Sequence, residues 1–191
     1  MKERCPWPGD DPLYIEYHDR EWGVPVQDDR KLFEFLVLEG AQAGLSWITV
    51  LRKRENYRKA FENFDPEKIA SFGRDRVEEL MLDAGLIRNR RKIESAITNA
   101  RAFLRVQEEF AGFANYMWSF VEGIPIQNCW KEMKEVPSCT PLAEKLSKEL
   151  KKRGFSFVGP TIIYSHMQAV GMVNDHLVSC FRHRELGGPQ F

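Results

Sequence analysis

The sequence predicts a mainly α fold, and three observations indicate it. Apolar residues recur at helical spacing through most of the 191-residue chain. Helix-start signals, such as an Asp or Thr followed directly by Pro, precede several of these segments. Almost no stretch alternates apolar and polar residues as a half-buried strand does. The length fits one domain, so we expect residues 1–191 to form a single domain of short helices.

In the first half, residues 1–29 are rich in Pro, Gly, Asp and aromatic residues, which predicts an ordered but irregular segment. Residues 30–44 predict a helix that is apolar on nearly all sides and therefore buried. Another helix is expected from Ser46, a suitable N-cap, to residue 64. Asp65 and Pro66 open a short helix. Residues 75–84 predict a further helix, which Gly85 ends.

In the second half, residues 89–109 predict a long helix with an apolar stripe on one face. Residues 113–121 form a short aromatic helix. Residues 122–138 contain two Pro and no clear period, so they are expected to be a connector. Thr140 and Pro141 open the next helix, and the last helix is expected to run over residues 161–181.

Composition limits the possible classes of protein. Lys and Arg total 28, as do Asp and Glu, and a net charge of zero counts mildly against a nucleic-acid binder. A local basic strip could still bind nucleic acid. No run of 18 apolar residues and no apolar leader is found, so we expect a cytoplasmic protein without a membrane partner. Its four Cys are then expected to be thiols or metal ligands rather than disulfides.

A metal site is suggested by residues from both ends of the chain. His176 and Cys180 are spaced i, i+4, which on the predicted last helix places them on one face. Cys5 and His18 complete a Cys2His2 set that suits tetrahedral Zn²⁺. The alternative is a buried structural Cys and a surface His at each end. With four protein ligands the zinc would be structural, because a catalytic zinc needs an open position.

A carboxylate interrupts the apolar helix of residues 30–44. Glu39 falls on the same face as Leu32 and Leu36, where its burial is costly unless it is paired or functional. Pairing with a buried Arg, or capping of a backbone group, is the simpler alternative. Trp47 follows the turn after this helix, and four further aromatic residues crowd the N-terminal segment: Trp7, Tyr14, Tyr17 and Trp22. Together with one buried acid they suit a pocket for a planar cationic base, although core packing is their usual role.

Basic residues cluster at positions 52–54, 88–92 and 151–153. The second cluster opens the long helix just after Gly85. A turn and a helix N-terminus flanked by Arg and Lys make a good seat for a phosphate. A solvated charged face is the alternative.

Several long segments resemble one bacterial repair family, 3-methyladenine DNA glycosylase I. They include RCPW, DPLYIEYHDREWGVP, LFEFLVLEGAQAGLSWITVLRKRENYRKAF, DAGLIRNRRKI and KKRGFSFVGPTIIYSHMQAVGMVNDH, and they end at Cys180. These segments span nearly the whole chain, and EGAQAGLSWITVL and GFSFVGPTIIYSHMQAVG are far more specific than a short motif. The resemblance implies a helix-hairpin-helix DNA glycosylase-like helical fold, with a structural zinc site joining the N- and C-terminal segments.

Residue roles follow from the matching positions. The zinc ligands would be Cys5, His18, His176 and Cys180, the same set that the spacing suggests. Glu39, Tyr17 and Trp47 match the base-pocket positions, so Glu39 is expected to be the catalytic residue and Tyr17 and Trp47 to bind substrate. Trp22 and Tyr14, from the aromatic N-terminal segment, are expected to bind substrate as well. The hairpin would lie at residues 83–92, although it lacks the Gly-x-Gly turn common in the superfamily. The family also has no catalytic Asp where related glycosylases place one. The expected DNA contacts are Leu45, Arg88, Arg90 and Lys92.

The implied reaction is hydrolysis of the N-glycosidic bond of 3-methyladenine in alkylated double-stranded DNA, by a monomeric and monofunctional enzyme. Glu39 would accept hydrogen bonds from the flipped base, Trp47 would stack on it and Tyr17 would add a polar contact. Leu45 would fill the gap left in the duplex. Two alternatives remain at this stage: a non-enzymatic, zinc-stapled DNA-binding module, and a zinc-stapled adaptor for other proteins.

Overall fold

A computed structural model describes residues 2–189, which contain ten α-helices, two short 3-10 helices and two very short strands. In chain order, the helices and strands are α1 (Pro12–Arg20), α2 (Asp29–Gln42), α3 (Trp47–Ala60), α4 (Pro66–Ala70), α5 (Arg74–Leu82), α6 (Arg90–Phe110), α7 (Phe113–Ser119), β1 (Ile126–Gln127), α8 (Pro141–Lys152), α9 (Pro160–Ala169), β2 (Val173–Asn174) and α10 (Phe181–Glu185). The predicted mainly helical fold is confirmed. Among these residues no helix is long and apolar enough to cross a membrane.

Side-chain caps fix where five of the helices begin. The N-cap side chains of α1, α2, α4, α6 and α8 each accept a hydrogen bond from a backbone N–H of the first turn, which would otherwise be unsatisfied. Pro follows the cap directly in α1, α4 and α8, where its missing N–H costs nothing. The five capping residues are Asp11, Asp28, Asp65, Asn89 and Thr140.

Helix α2 lies at the centre of the fold. All residues from Leu32 to Ala41 are buried, and the helix packs against α3, α6, α7 and α9. Its first residue, Asp29, accepts hydrogen bonds from the backbone N–H groups of Phe113 and Ala114 at 2.8 and 2.7 Å, which fixes the start of α7 against α2. The prediction of a buried helix here is confirmed, and any polar side chain on α2 must find a partner or a function.

Three predicted boundaries are wrong. The first 29 residues are not wholly irregular, because Asp11 and Pro12 open α1 within them. Helix α3 ends at Ala60 rather than at residue 64, since residues 62–64 adopt positive φ angles of 51–56°. The last predicted helix ends at Ala169, and the chain then forms β2, a loop and the short α10.

The early end of α9 has a steric cause at Gly171. This residue has a φ of +72°, and a Cβ atom there would lie 2.5 Å from the backbone of Val24 and Pro25. The backbone of the N-terminal segment also hydrogen-bonds to the end of α9: Gly23 N–H donates to Gln168 O and Val26 N–H to Val170 O. After this turn β2 pairs in parallel with β1, with Ile126 opposite Val173. The backbone hydrogen bonds of Gly23 and Val26 thus hold the N-terminal segment against the C-terminal part of the chain.

Candidate active site and metal centre

Four buried side chains from the two ends of the chain form one cluster. The ligand atoms of Cys5, His18, His176 and Cys180 all lie within 4.8 Å of one another, and the group could hold a metal ion. Cys180 Sγ is 3.5 Å from both His18 Nε2 and His176 Nδ1, and Cys5 Sγ is 3.6 Å from His176 Nδ1. The structure therefore brings together all four residues that the sequence predicts as ligands.

The predicted helix face shared by His176 and Cys180 is nevertheless wrong. They do not share a helix face, because α9 ends at Ala169 and both residues belong to the segment between β2 and α10. Cys180 is the N-cap of α10, and His176 follows the end of β2 by two residues. Only His18 lies within a helix, on α1.

The second nitrogen of each imidazole in the cluster has its own partner. His18 Nδ1 lies 2.8 Å from Asp19 Oδ1, and His176 Nε2 lies 3.0 Å from the carbonyl oxygen of Trp22. Asp19 is held in turn by the guanidinium of Arg4 at 2.8 Å. Such partners fix the ring orientation and the tautomer, so that His18 Nε2 and His176 Nδ1 both face the thiols as acceptors.

A cavity of about 200 Å³ lies next to this cluster, between α1, the end of α2, the start of α3 and α9. Its lining combines aromatic and polar side chains. Trp7 packs edge-on against Tyr14 and Trp22, with ring centroids 4.8 and 5.1 Å apart. The predicted pocket residues all line it: Tyr14, Tyr17, Trp22, Glu39 and Trp47. Trp7, Gln42, Ser165, Gln168 and Asp175 line it as well.

Glu39 differs from the other polar groups of this cavity because it is a buried carboxyl without a partner among the described residues. It is 3% exposed, and no hydrogen bond or ion pair to it is found within residues 2–189. Burial raises the pKa of its carboxyl from 4.5 to about 8. The buried-Arg alternative describes its neighbour on α2 instead: Glu34 accepts hydrogen bonds from Arg54 Nε at 2.6 Å and Arg58 Nη2 at 2.8 Å. One acid of α2 is thus structural and the other is left free to meet a ligand.

Two aromatic side chains beside Glu39 also keep polar groups available. The indole Nε1 of Trp47 is buried and has no hydrogen-bond partner among the described residues. The rings of Trp47 and Tyr17 lie 5.5 Å apart. Burial, together with the nearby Glu39 carboxylate, raises the pKa of Tyr17 well above its usual value, so its hydroxyl stays protonated and can donate a hydrogen bond.

Asp175 is a wall residue that sequence reasoning missed. It follows β2 directly, is 1% exposed, and accepts hydrogen bonds from four side chains. The sequence did carry a signal for it, because Asp175 stands beside the candidate ligand His176 at the end of an apolar stretch. A buried acid there requires an explanation, as Glu39 does on α2. Gln42, Gln168 and Ser165 carried no comparable signal.

The expected DNA contacts lie on the turn after α2, in the loop between α5 and α6, and in the first turn of α6. Leu45 is 39% exposed on a turn closed by Gln42 Nε2, which donates to Leu45 O at 2.9 Å. Arg88 is exposed and has no ion pair within the described part of the chain. Arg90 pairs with Glu78 at 2.7 Å. Lys92 Nζ donates to the carbonyl oxygens of Ala41 and Ala43 at 2.8 and 2.6 Å. The structure thus gives Lys92 a capping role at the end of α2, in place of a free cation.

Lys92 and its neighbours join the two candidate DNA-contacting regions. Lys53 Nζ donates to Ala84 O at 2.8 Å, and Ile87 N–H donates to the hydroxyl of Tyr57 at 3.3 Å. These bonds hold the loop between α5 and α6 against α3. In the same way, Lys92 holds α6 against the end of α2. The loop between α5 and α6 and the Leu45 turn therefore belong to one connected surface beside the cavity.

An aromatic cavity with a buried, unpaired carboxylate has the shape and chemistry that suit a flat, hydrogen-bonding ring. Comparison with known proteins is consistent with this class. The methyladenine glycosylase family matches residues 7–183. DNA-3-methyladenine glycosylase 1 of Escherichia coli (strain K12) is 56% identical over 178 residues, which cover 93% of this chain and 95% of that protein.

Solved structures agree with the sequence relatives. A crystal structure of 3-methyladenine DNA glycosylase I superposes with a TM-score of 0.93 at 53% identity, covering 98% of this chain and 100% of the other. A variant of 3-methyladenine DNA glycosylase I in complex with 3-methyladenine gives a TM-score of 0.91 at 35% identity, covering 93% and 96%. The chain therefore belongs to the methyladenine glycosylase family, and the resemblance found in the sequence is confirmed.

Proposed function

We propose that this protein is a monofunctional DNA glycosylase that hydrolyses the N-glycosidic bond of 3-methyladenine in alkylated double-stranded DNA. The observation that carries the proposal is Glu39, a buried carboxylate without a partner in an aromatic cavity. The choice of 3-methyladenine as the base follows from membership of the methyladenine glycosylase family. A DNA-binding module without activity, or an adaptor for other proteins, has no use for such a cavity.

Hydrolysis of this N-glycosidic bond requires little acid catalysis from the protein. Methylation at N3 gives adenine a positive charge, so the base leaves with the bonding electrons of the C1′–N9 bond as neutral 3-methyladenine. Water supplies the hydroxyl that forms the new bond to C1′, and its proton passes to solvent. The work of the chain is to hold the extruded base, to stabilise its charge and to admit water.

Each wall of the cavity has a role in holding the base. Glu39 accepts hydrogen bonds from ring and amino N–H groups, and the approach of a cation favours its ionised form. Trp47 and Trp22 supply faces for stacking and for the cation, while Tyr17 and Tyr14 complete the aromatic wall. No Lys lines the cavity among the described residues, so no amine nucleophile for a lyase step is present there.

The DNA-binding surface is proposed to be the connected surface beside the cavity. Helices α5 and α6 and the loop at residues 83–89 would form a helix-hairpin-helix element, with Arg88 and Arg90 directed at phosphates. Leu45 would enter the gap left by the extruded nucleotide. Lys92 would act indirectly, by holding α6 against the Leu45 turn.

The four-residue cluster fits a structural Zn²⁺. Tetrahedral coordination with Zn–S and Zn–N bonds of about 2.3 and 2.0 Å gives S···N edges of roughly 3.5 Å, and the three measured Sγ···N distances are 3.5–3.6 Å. Four protein ligands leave no open position, so the ion would stabilise the fold by joining Cys5 and His18 to His176 and Cys180.

The protein would act as a cytoplasmic monomer.

The test is release of the base. Duplex DNA treated with a methylating agent is incubated with the protein, and the released bases are separated by chromatography. We expect free 3-methyladenine from the wild type and much less from Glu39→Ala, while Glu16→Gln, an exposed control on α1, releases as much as the wild type. If the folded, zinc-loaded protein releases no base, the proposal is wrong and the DNA-binding module takes its place.

A further inference from the structure

We propose that Met133 is a specificity-determining residue, which forms the apolar wall that receives the N3-alkyl group of the base. This inference rests on the proposed function, because it assumes that the cavity holds an adenine alkylated at N3. It assigns the size limit on the alkyl group to one side chain, and it gives the connector (residues 122–138) a part in the site.

Two aliphatic side chains line the cavity, Met133 and Val136, and both belong to the connector. The other lining residues in the described part of the chain are aromatic or polar. An alkyl group forms no hydrogen bonds, so its recognition depends on apolar contact and on shape. Met suits this role, because its unbranched thioether side chain fills irregular gaps. The connector thus supplies the aliphatic surface of the site.

Met133 lies at the mouth of the cavity, and Glu39 lies at its inner end. Met133 is 36% exposed although it lines the cavity, whereas Glu39 is 3% exposed. In the proposed complex Glu39 accepts a hydrogen bond from the amino group at C6 of the base. N3 and N9 lie together on the opposite edge of the purine. The sugar at N9 stays joined to the DNA, so this edge faces the mouth, and the N3 substituent points to the side where Met133 lies.

The connector holds Met133 in a fixed position. Val178 N–H donates to Trp130 O at 2.9 Å, which fixes the backbone just before it. Met133 then begins a one-turn 3-10 helix, in which Glu132 and Glu135 cap each other's backbone N–H groups. A wall that is fixed in this way limits the size of its ligand, because a longer alkyl group must displace either the side chain or the base.

The experiment compares release of two bases from duplex DNA: 3-methyladenine after treatment with a methylating agent, and 3-ethyladenine after treatment with an ethylating agent. The measured quantity is the ratio of the ethyl to the methyl single-turnover rate. Met133→Ala removes the wall and should raise this ratio about three- to tenfold, which is the effect expected of one buried methylene group. Met133→Phe places a larger side chain at the mouth and should lower the ratio by a similar factor.

Two further variants make the result specific. Met133→Leu keeps an aliphatic side chain of similar volume, so its ratio should stay within about twofold of the wild-type ratio. Ile124→Ala is the matched control, because Ile124 is an exposed aliphatic residue of the same connector that does not line the cavity; it should leave the ratio unchanged. A merely structural role of Met133 would lower both rates equally, since the loss of folded protein cancels in the ratio.

Failure of the inference is distinguishable from failure of the proposed function. If the wild type releases 3-methyladenine and the ratio is unchanged in Met133→Ala and Met133→Phe, only the role of Met133 is wrong. The same holds if the wild type releases no ethylated base and none appears in Met133→Ala. If the folded wild type releases neither base, the proposed function fails and the role of Met133 falls with it.

Discussion

Replacing Glu39 with Gln should make the protein more stable, by an amount that depends on pH. The pKa of Glu39 is about 8 in the fold, against 4.5 when exposed. Between these values the unfolded chain has lost the proton and the folded chain still holds it. The folded state thus binds more protons, and its stability falls as pH rises through this window.

The size of the effect follows from the two pKa values. Each pH unit in the window is worth about 1.4 kcal/mol, so the full interval corresponds to a ceiling of about 5 kcal/mol. Relaxation around the charge reduces this, and we expect about 2–5 kcal/mol above pH 8. The stability difference between Glu39→Gln and the wild type should be smallest near pH 4.5, rise steadily, and become constant above pH 8.

The assay is urea denaturation of both proteins at pH 5, 7 and 8.5. Other titrating groups are common to both and cancel in the difference. Glu16→Gln, which alters an exposed carboxyl, should show no such trend. A stability difference between Glu39→Gln and the wild type that is the same at all three pH values would show that Glu39 is ionised throughout, and that burial does not raise its pKa.

Three further predictions concern the metal, the turn after α9 and the DNA wedge. Removing the metal with a chelator should lower the Tm by about 10 °C, since metal binding contributes folding free energy, and an unchanged melt would argue against a structural site. Gly171→Ala should lower the free energy of unfolding, measured by urea denaturation, by about 2–5 kcal/mol, because it adds a clash to an unfavourable φ. Gly9→Ala is the control, since Gly9 has a φ of +55° but no neighbour within 4 Å, and it should cost less. Equal losses in the two variants would mean that the clash at Gly171 is not the cause. Leu45→Ala should slow excision from duplex DNA about tenfold yet leave binding of free 3-methyladenine unchanged; a loss of base binding would place Leu45 in the cavity instead.

The helices were predictable where a local signal sets them. Asp65 with Pro66 and Thr140 with Pro141 start their helices by satisfying the first backbone N–H groups, and that chemistry is visible in the sequence. The end of α9 was not predictable, because Gly171 is required by the backbone of Val24 and Pro25, which lies far away in sequence. Periodicity alone predicted that this helix continues through the candidate metal ligands His176 and Cys180.

Residues of the candidate site were predictable where a polar or metal-binding side chain stands in a part of the sequence in which that residue type is unusual. Glu39 stands out because a carboxylate on a buried helix requires an explanation, and Cys5, His18, His176 and Cys180 are half of all the Cys and His in the chain. Local sequence could not show that Glu34 is the acid that pairs with Arg54. Nor could it show that the connector supplies donors to Asp175, since Asn128 and Trp130 meet it only through the pairing of β1 with β2.

The most direct test of the central claim is the single-turnover rate of 3-methyladenine release from methylated duplex DNA, measured against spontaneous loss from the same DNA. We expect a rate far above the spontaneous one for the wild type, and a large reduction in Glu39→Gln, although that variant is at least as stable as the wild type. Release at the spontaneous rate by the folded wild type, or undiminished release by Glu39→Gln, would show that the Glu39 cavity does not excise the base.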